Sequence, residues 1–277
     1  MLTWNEKWSE AFERREPTAA ARVLPGILAA VQQTSGIEKA YALLAASTCQ
    51  AIIGREAEAR RYLDEVRRIA PPEDAILHMH ADFLDASWHS NRGEFEESLV
   101  ILDRLLSLYG EKLNDPQLRY LYEQVKFSQG IALAELQKLA KARPLLEEAR
   151  SFDLVEGDRA LLYFHLGTTY LFLSQDYKSA LGAFEEAKKI GLGENWHAAW
   201  HYYVGRSYYR LRDYASAKQE FLKAEEVMKS GLPGPESSEF YQLLAYACKG
   251  LRQSAEAEMY SQLATAGKPQ PENRRFH

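Results

Sequence analysis

Tyr163-Phe164-His165-Leu166-Gly167-Thr168-Thr169-Tyr170, followed by Asp176-Tyr177, Ala180-Leu181-Gly182-Ala183-Phe184 and Ala187, is the stretch that decides the fold. The next block answers it: Val204-Gly205-Arg206-Ser207-Tyr208, then Asp213-Tyr214, Ala217, Phe221 and Ala224. A weaker copy follows in Leu244-Ala245-Tyr246-Ala247-Cys248, Ala257, Ser261 and Ala264, and an upstream one in Gly130, Leu133, Leu139, Ala142, Leu146 and Ala149. Self-similarity at a fixed period is the mark of a repeat architecture, and it outranks any reading of single segments. The small residue that opens the second half of each copy gives the series Ala59, Ser98, Ala142, Ala180, Ala217, Ala257, with spacings of 39, 44, 38, 37 and 40 residues. Six units therefore run in series, and no second kind of domain interrupts them.

Within a unit, Leu161, Phe164 or His165, and Tyr170 recur at helical intervals, as do Ala180, Phe184 and Ala187. Each unit reads as two amphipathic helices joined by a short turn. Breakers fall between units, at Pro71-Pro72, Asn114-Asp115-Pro116, Gly191-Leu192-Gly193 and Gly231-Leu232-Pro233-Gly234-Pro235. Asp158, Asn195 and Ser237 are the expected N-caps of the helices that follow. No segment alternates with the two-residue period of a strand, so the chain is all-α. One extra residue lies between Tyr170 and Asp176, and another is suspected before Gly93.

The pattern Tyr163-x-x-Leu166-Gly167-x-x-Tyr170…Ala180-x-x-x-Phe184, matched again by His201-x-x-Val204-Gly205-x-x-Tyr208…Ala217-x-x-x-Phe221, resembles the tetratricopeptide repeat. Periods of 37–44 residues depart from the family's ~34, and longer loops absorb the difference. The resemblance implies an α-solenoid: a right-handed superhelix whose first helices line a concave groove. Residues 1–265 then form one superhelical domain, with capping helices over 1–36, about six repeats over 37–265, and a polar, disordered tail over 266–277. Gly167 and Gly205 admit the partner helix closely; the mid-helix glycine costs about 1 kcal/mol against alanine, which close packing must offset.

On that register the groove is lined by Phe127, Ile131, Phe164, Thr168, Phe172, Tyr202, Arg206, Tyr209, Arg210, Tyr246 and Lys249. It runs from apolar to aromatic and basic, which suits a peptide carrying an apolar anchor and an acidic group or C-terminal carboxylate. The alternative is that the aromatics pack against neighbouring hairpins while Arg206 and Arg210 pair with groove acids such as Glu135. One subset of these repeats holds chaperone C-termini in a clamp of lysines, asparagines and an arginine; here Phe127, Ile131, His165 and Tyr203 stand in those places, so that activity does not carry over.

Composition excludes several classes. The 277 residues are 46% hydrophobic, and 34 Lys and Arg against 39 Asp and Glu give a net charge of −5, with no basic block to attract nucleic acid. No apolar run approaches the roughly 18–20 residues that cross a bilayer. The N-terminus lacks the profile of a signal peptide, and the expected location is the cytoplasm. Cys49 and Cys248 belong to no Cys-x-x-Cys pair and read as buried small residues.

Candidate chemistry is sparse. His78, Asp82, Asp85 and His89 share one stripe of a helix, either as the wet face of that helix or as metal ligands. His197 and His201 are an i, i+4 pair without the glutamate of a zinc-protease helix. Gly191-Leu192-Gly193 follows a helix, so it is no nucleotide fingerprint. The expectation is therefore a protein without catalytic residues, metal or cofactor, acting as an interaction scaffold. The rival reading is a sensor whose superhelix responds to a small ligand or signalling peptide. Trp4, Trp8, Ala11 and Phe12 form an apolar stripe that caps the first unit or lets the protein self-associate as a homodimer, and Pro25-Gly26 predicts a kink or break in the segment Thr18–Gln33.

Overall fold

A computed structural model describes residues 17–110 and 118–265. These residues form thirteen α-helices and no strand: α1 (Pro17–Gln33), α2 (Gly36–Ile52), α3 (Glu56–Ile69), α4 (Ala75–Asn91), α5 (Phe95–Tyr109), α6 (Arg119–Glu135), α7 (Leu139–Ala149), α8 (Glu156–Thr169), α9 (Tyr177–Ile190), α10 (His197–Arg210), α11 (Tyr214–Lys229), α12 (Ser237–Gly250) and α13 (Ser254–Thr265). From α2 onward they pair into six consecutive hairpins, as the repeat pattern requires. The tryptophan stripe before residue 17, Asn114-Asp115-Pro116 and the tail after 265 lie outside the described residues.

Every hairpin is built on one register. The small residues Ala59, Ser98, Ala142, Ala180, Ala217 and Ala257 are each the fourth residue of their second helix, and all are buried. Five positions earlier the backbone turns left-handed, at Gly54, Gly93, Gln137, Gln175, Arg212 and Arg252, with φ between 53° and 83°. In four turns the first helix closes with the same pair of bonds, for example Asp213 N–H to Tyr208 C=O at 3.0 Å and Arg212 N–H to Tyr209 C=O at 3.0 Å. This is the Schellman arrangement, which satisfies carbonyls that would otherwise be left over at a helix end.

The fourth hairpin carries the extra residue seen in the sequence. Tyr170–Ser174 form a turn of π-helix at the end of α8, and Asp176 N–H reaches back six residues to Tyr170 C=O, at 3.0 Å, instead of five. An insertion inside a helix is absorbed in this way without losing the register on either side. In the second hairpin no extra residue is needed: α4 is an unbroken helix to Asn91.

The helix ends differ from expectation in three places, one being α12, where Ser237 is the first helical residue and Glu236 holds the cap position. Helix α8 begins at Glu156 after an extended Val155, so Asp158 is the third helical residue and buried. Asn195 sits inside a single 3₁₀ turn, Glu194–Trp196, that feeds directly into α10. Asp74 accepts from Leu77 N–H at 3.0 Å at the start of α4, and the repeated Asp-Tyr dipeptide supplies two further side-chain caps, Asp176 and Asp213. Each accepts from a serine N–H three residues on, at 3.1 Å, and from that serine's hydroxyl at 2.7 Å. Helix α1 continues through Pro25-Gly26, because both residues face solvent and only one exposed hydrogen bond is lost.

Packing gathers the described residues into two compact units, 17–90 with 96–110 and 118–125, and 91–95 with 126–265. In the first, α1 packs on α2 through Ala20, Val23, Leu24, Ile27 and Cys49, and Leu43, Leu63, Val66, Leu77 and Trp88 continue the core. In the second, Phe164, Leu171, Phe184, Trp200 and Val204 form one cluster, and Tyr202, Phe221, Phe240, Leu244 and Tyr260 form the next.

Candidate functional site

The second unit shows why glycine recurs in the first helix of its hairpins. A Cβ on Gly167 would lie 2.5 Å from Phe184 Cε1, and one on Gly205 would lie 2.8 Å from Phe221 Cδ1. The ring four residues after the small residue of the second helix therefore lies over bare backbone. At Gly130 the same position meets Leu146 Cδ2 at 2.9 Å. These contacts fix α6, α8 and α10 closely enough for their outward residues to form a defined surface.

The aromatics immediately after the seam are consumed by packing. Phe127, Phe164 and Tyr202 are only 5%, 2% and 3% exposed. Tyr202 sits between Phe221 and Phe240, with centroids 6.2 and 6.3 Å away, and burial raises its phenol pKa. Phe164 meets Trp196 at 5.0 Å and Tyr203 at 5.8 Å. Arg206 lies over Phe172, its Cζ 4.7 Å from the ring centroid, and donates to Tyr202 Oη at 2.9 Å and to the Glu239 carboxylate. Its partner acid is Glu239 on α12, not Glu135.

Further along, the cations are differently placed. The Arg210 guanidinium lies 5.4 Å from the Tyr177 ring centroid, and its Nε donates to Tyr177 Oη at 3.0 Å. Lys249 Nζ lies 5.6 Å from the Tyr246 ring, and Tyr246 in turn stacks on Tyr209 at 6.4 Å. Among the described residues no carboxylate pairs with Arg210 or Lys249, while Tyr246 is 40% exposed. Both charges are thus held against rings with their outer donors open.

Beside this face is a small, half-open cleft lined by Glu135, Phe164, His165, Thr168, Phe172, Trp196 and Tyr203. His165 is buried and its Nε2 has no hydrogen-bond partner; Glu135 Oε1 stands 3.6 Å away, too far for a direct bond. Burial lowers the His165 pKa to about 3, so the ring is neutral. Burial also raises the Glu135 carboxyl to about 7. The phenol of Tyr203 is raised to about 12, by burial first and by Glu135 second. His165 and Tyr203 occupy equivalent positions, two residues before the seam glycine. Sequence reading passed over that column for its neighbour, although the pairing of Glu135 with Phe172 in one column was visible.

The remaining candidates have structural partners. Asp85 pairs with Arg67 at 2.7 Å, Asp82 with Arg104 at 3.1 Å, and His78 Nε2 lies 3.0 Å from Pro71 C=O. Among the described residues no three His, Cys, Asp or Glu converge as metal ligands. His197 is tied to Leu192 C=O at 3.0 Å, and His201 Nδ1 lies 2.6 Å from Glu220 Oε2. Burial raises the Cys49 thiol to about 11, away from thiolate chemistry. Gly191 is a left-handed helix cap, with φ 116°. No described helix is long and apolar enough to cross a membrane.

No family model matches the chain, and no curated protein matches it. Solved structures do. The crystal structure of a Rap protein complexed with competence and sporulation factor aligns with TM-score 0.66 at 15% identity, covering 95% of this chain and 76% of that one. The apo form of RapI aligns with TM-score 0.61 at 14% identity, over 96% and 76%. A chain from the anaphase-promoting complex hetero-tetramer Cut9-Hcn1 aligns with TM-score 0.60 at 15% identity, over 95% of this chain and 46% of that one, so this chain spans about half its length. Together with the hairpin register, they show the fold to be an α-solenoid of tetratricopeptide-like repeats.

Proposed function

We propose that this protein is a non-catalytic interaction scaffold that captures an acidic peptide or partner segment on the second unit. The observation that carries this is the pair of open cations, Arg210 and Lys249, each stacked on a tyrosine and lacking an acid. A cation already seated on a ring has lost much of its freedom and hydration before the ligand arrives, which favours a bound carboxylate. Phe172, Tyr209 and Tyr246 supply partly exposed rings for the neighbouring contact surface, whereas Phe127, Phe164, Thr168 and Tyr202 are buried and act only by packing. The likeness to a Rap protein complexed with a factor supports a fold able to hold a ligand of this kind, whether the outcome is adaptor or sensor.

The test is a pull-down from native lysate with wild type, Arg210→Glu, Lys249→Glu and Tyr246→Ala. These residues are partly or fully exposed, so circular dichroism should not change. Loss of the partner in the charge reversals, with retention at low salt in a lysine-for-arginine swap, is the expected outcome. Undiminished capture by Arg210→Glu/Lys249→Glu would remove this surface from the reading. A sensor would also show a ligand-dependent radius of gyration by scattering, and an adaptor would not.

A further inference from the structure

The cleft at Glu135 and His165 adjoins the surface proposed above and shares Phe172 with it, but Glu135 and His165 themselves are not part of that surface. It holds two polar atoms that nothing in the protein satisfies: a buried imidazole Nε2 with no partner, and a carboxyl whose nearest neighbour is that same neutral ring, 3.6 Å away. With Glu135 ionised and the His165 proton on Nδ1, both are acceptors, and both residues line one cleft. A hydroxyl has one proton to give and leaves one acceptor unmatched, whereas an ammonium or guanidinium has several. The walls add a second selection. Phe172 and Tyr203 meet edge to face at 5.7 Å, and Trp196 lies 5.7 Å from His165, so aromatic rings border the opening and give an alkyl stem apolar surface, with Arg206 already seated over Phe172.

We infer that this cleft is a subsite for a cationic group, a primary ammonium or guanidinium on an alkyl stem, which donates to Glu135 and His165 Nε2 together. It rests on the peptide-scaffold reading only in assigning the cation to a bound partner; the subsite itself is a property of the cleft. A ligand cation supplies the counter-charge that the carboxyl lacks among the described residues, and burial then strengthens the pair instead of penalising it.

The surrounding ionisable groups leave Glu135 as the one in the cleft that changes charge near neutrality. His165 on α8 is held neutral and Tyr203 on α10 protonated. Arg206 on α10 is paired with Glu239, and Lys138, just before α7, is exposed. His197 and His201 are directed to Leu192 C=O and Glu220, away from the cleft.

Titration of the full chain with n-butylguanidinium and n-butylammonium, followed by NMR of labelled Trp and Tyr side chains, tests this directly, with n-butanol and butyrate as controls. The expected result is saturable binding of the two cations at Trp196 and Tyr203, with affinity rising about tenfold between pH 6 and pH 8 as the carboxyl ionises around 7. Glu135→Gln, with an unchanged melting curve or a higher one, should abolish both the binding and its pH dependence. Equal binding of n-butanol, or undiminished cation binding by Glu135→Gln, would overturn the inference. Failure here leaves capture through Arg210 and Lys249 untouched, and failure of that capture leaves the fragment titration unchanged, so the two readings fall separately.

Discussion

Single residues carry two measurable consequences of burial. Glu135 binds its proton more tightly folded than unfolded, so its contribution is complete below about pH 4.5 and is lost as pH rises to about 7. His165 has the opposite sign: its neutral form is favoured on folding, so its contribution is complete above about pH 6.5 and is lost as pH falls toward 3. Urea midpoints should therefore show Glu135→Gln gaining on wild type between pH 5 and pH 8, by on the order of 2–3 kcal/mol. A constant difference across that range would mean that the carboxyl is not desolvated. The left-handed turn residues offer a second test. Gln137, Gln175, Arg212 and Arg252 hold φ between 53° and 64°, where a Cβ is strained. Arg212→Gly should raise the melting temperature, by an amount corresponding to about 0.5–1 kcal/mol after the entropy of the freer unfolded chain is subtracted.

At the scale of the element, the hairpin is held by size complementarity between its two helices. Gly167 and Gly205 face Phe184 and Phe221, while Ala86 and Ser47, at the equivalent place in earlier hairpins, have Leu102 and Leu63 at the facing register position. Bulk on one helix is matched by its absence on the other. Gly205→Leu should overpack this contact and cost on the order of 1–3 kcal/mol or more. Gly167→Ala and Phe184→Leu should each destabilise alone, yet the double variant should lose less than their sum by about 1 kcal/mol, since the smaller side chain makes room for the new methyl. Additive losses in thermal denaturation would show that ring and glycine do not share one space. Ser47 gives a variant of the same contact, its hydroxyl donating to Ala59 C=O at 2.8 Å across the first hairpin.

For the whole molecule, acid is the expected weakness of both units. His80 in the first unit is partly buried, and desolvation lowers its pKa to about 4; full burial lowers that of His165 in the second. Above about pH 6.5 the neutral rings favour the fold; below it the unfolded chain takes up protons that the folded one refuses. Guanidinium midpoints should fall between pH 7 and pH 4.5, and His80→Asn and His165→Asn should each flatten that decline relative to their own value at pH 7. The proposed sites are distributed over several hairpins. Glu135, His165, Tyr203, Arg210 and Lys249 come from α6, α8, α10 and α12, so no single repeat contains all of the residues proposed to bind.

The sequence by itself determined that the chain is a series of helical hairpins. Small residues 37–44 apart, with rings four positions later, state which helix faces meet, and the single insertion after Tyr170 is legible because every other hairpin keeps the count. These signals are local, and helix periodicity converts them directly into faces. What only the tertiary structure decided is which column of residues looks outward and which polar groups are left without partners. Neighbouring positions on a helix differ by about 100°, so a shift of one residue exchanges a packed ring such as Tyr202 for a partly exposed group such as Tyr203. Whether Arg206 meets Glu135 or Glu239, and whether Arg210 meets any acid, depends on how adjacent hairpins stack, which composition and spacing do not encode.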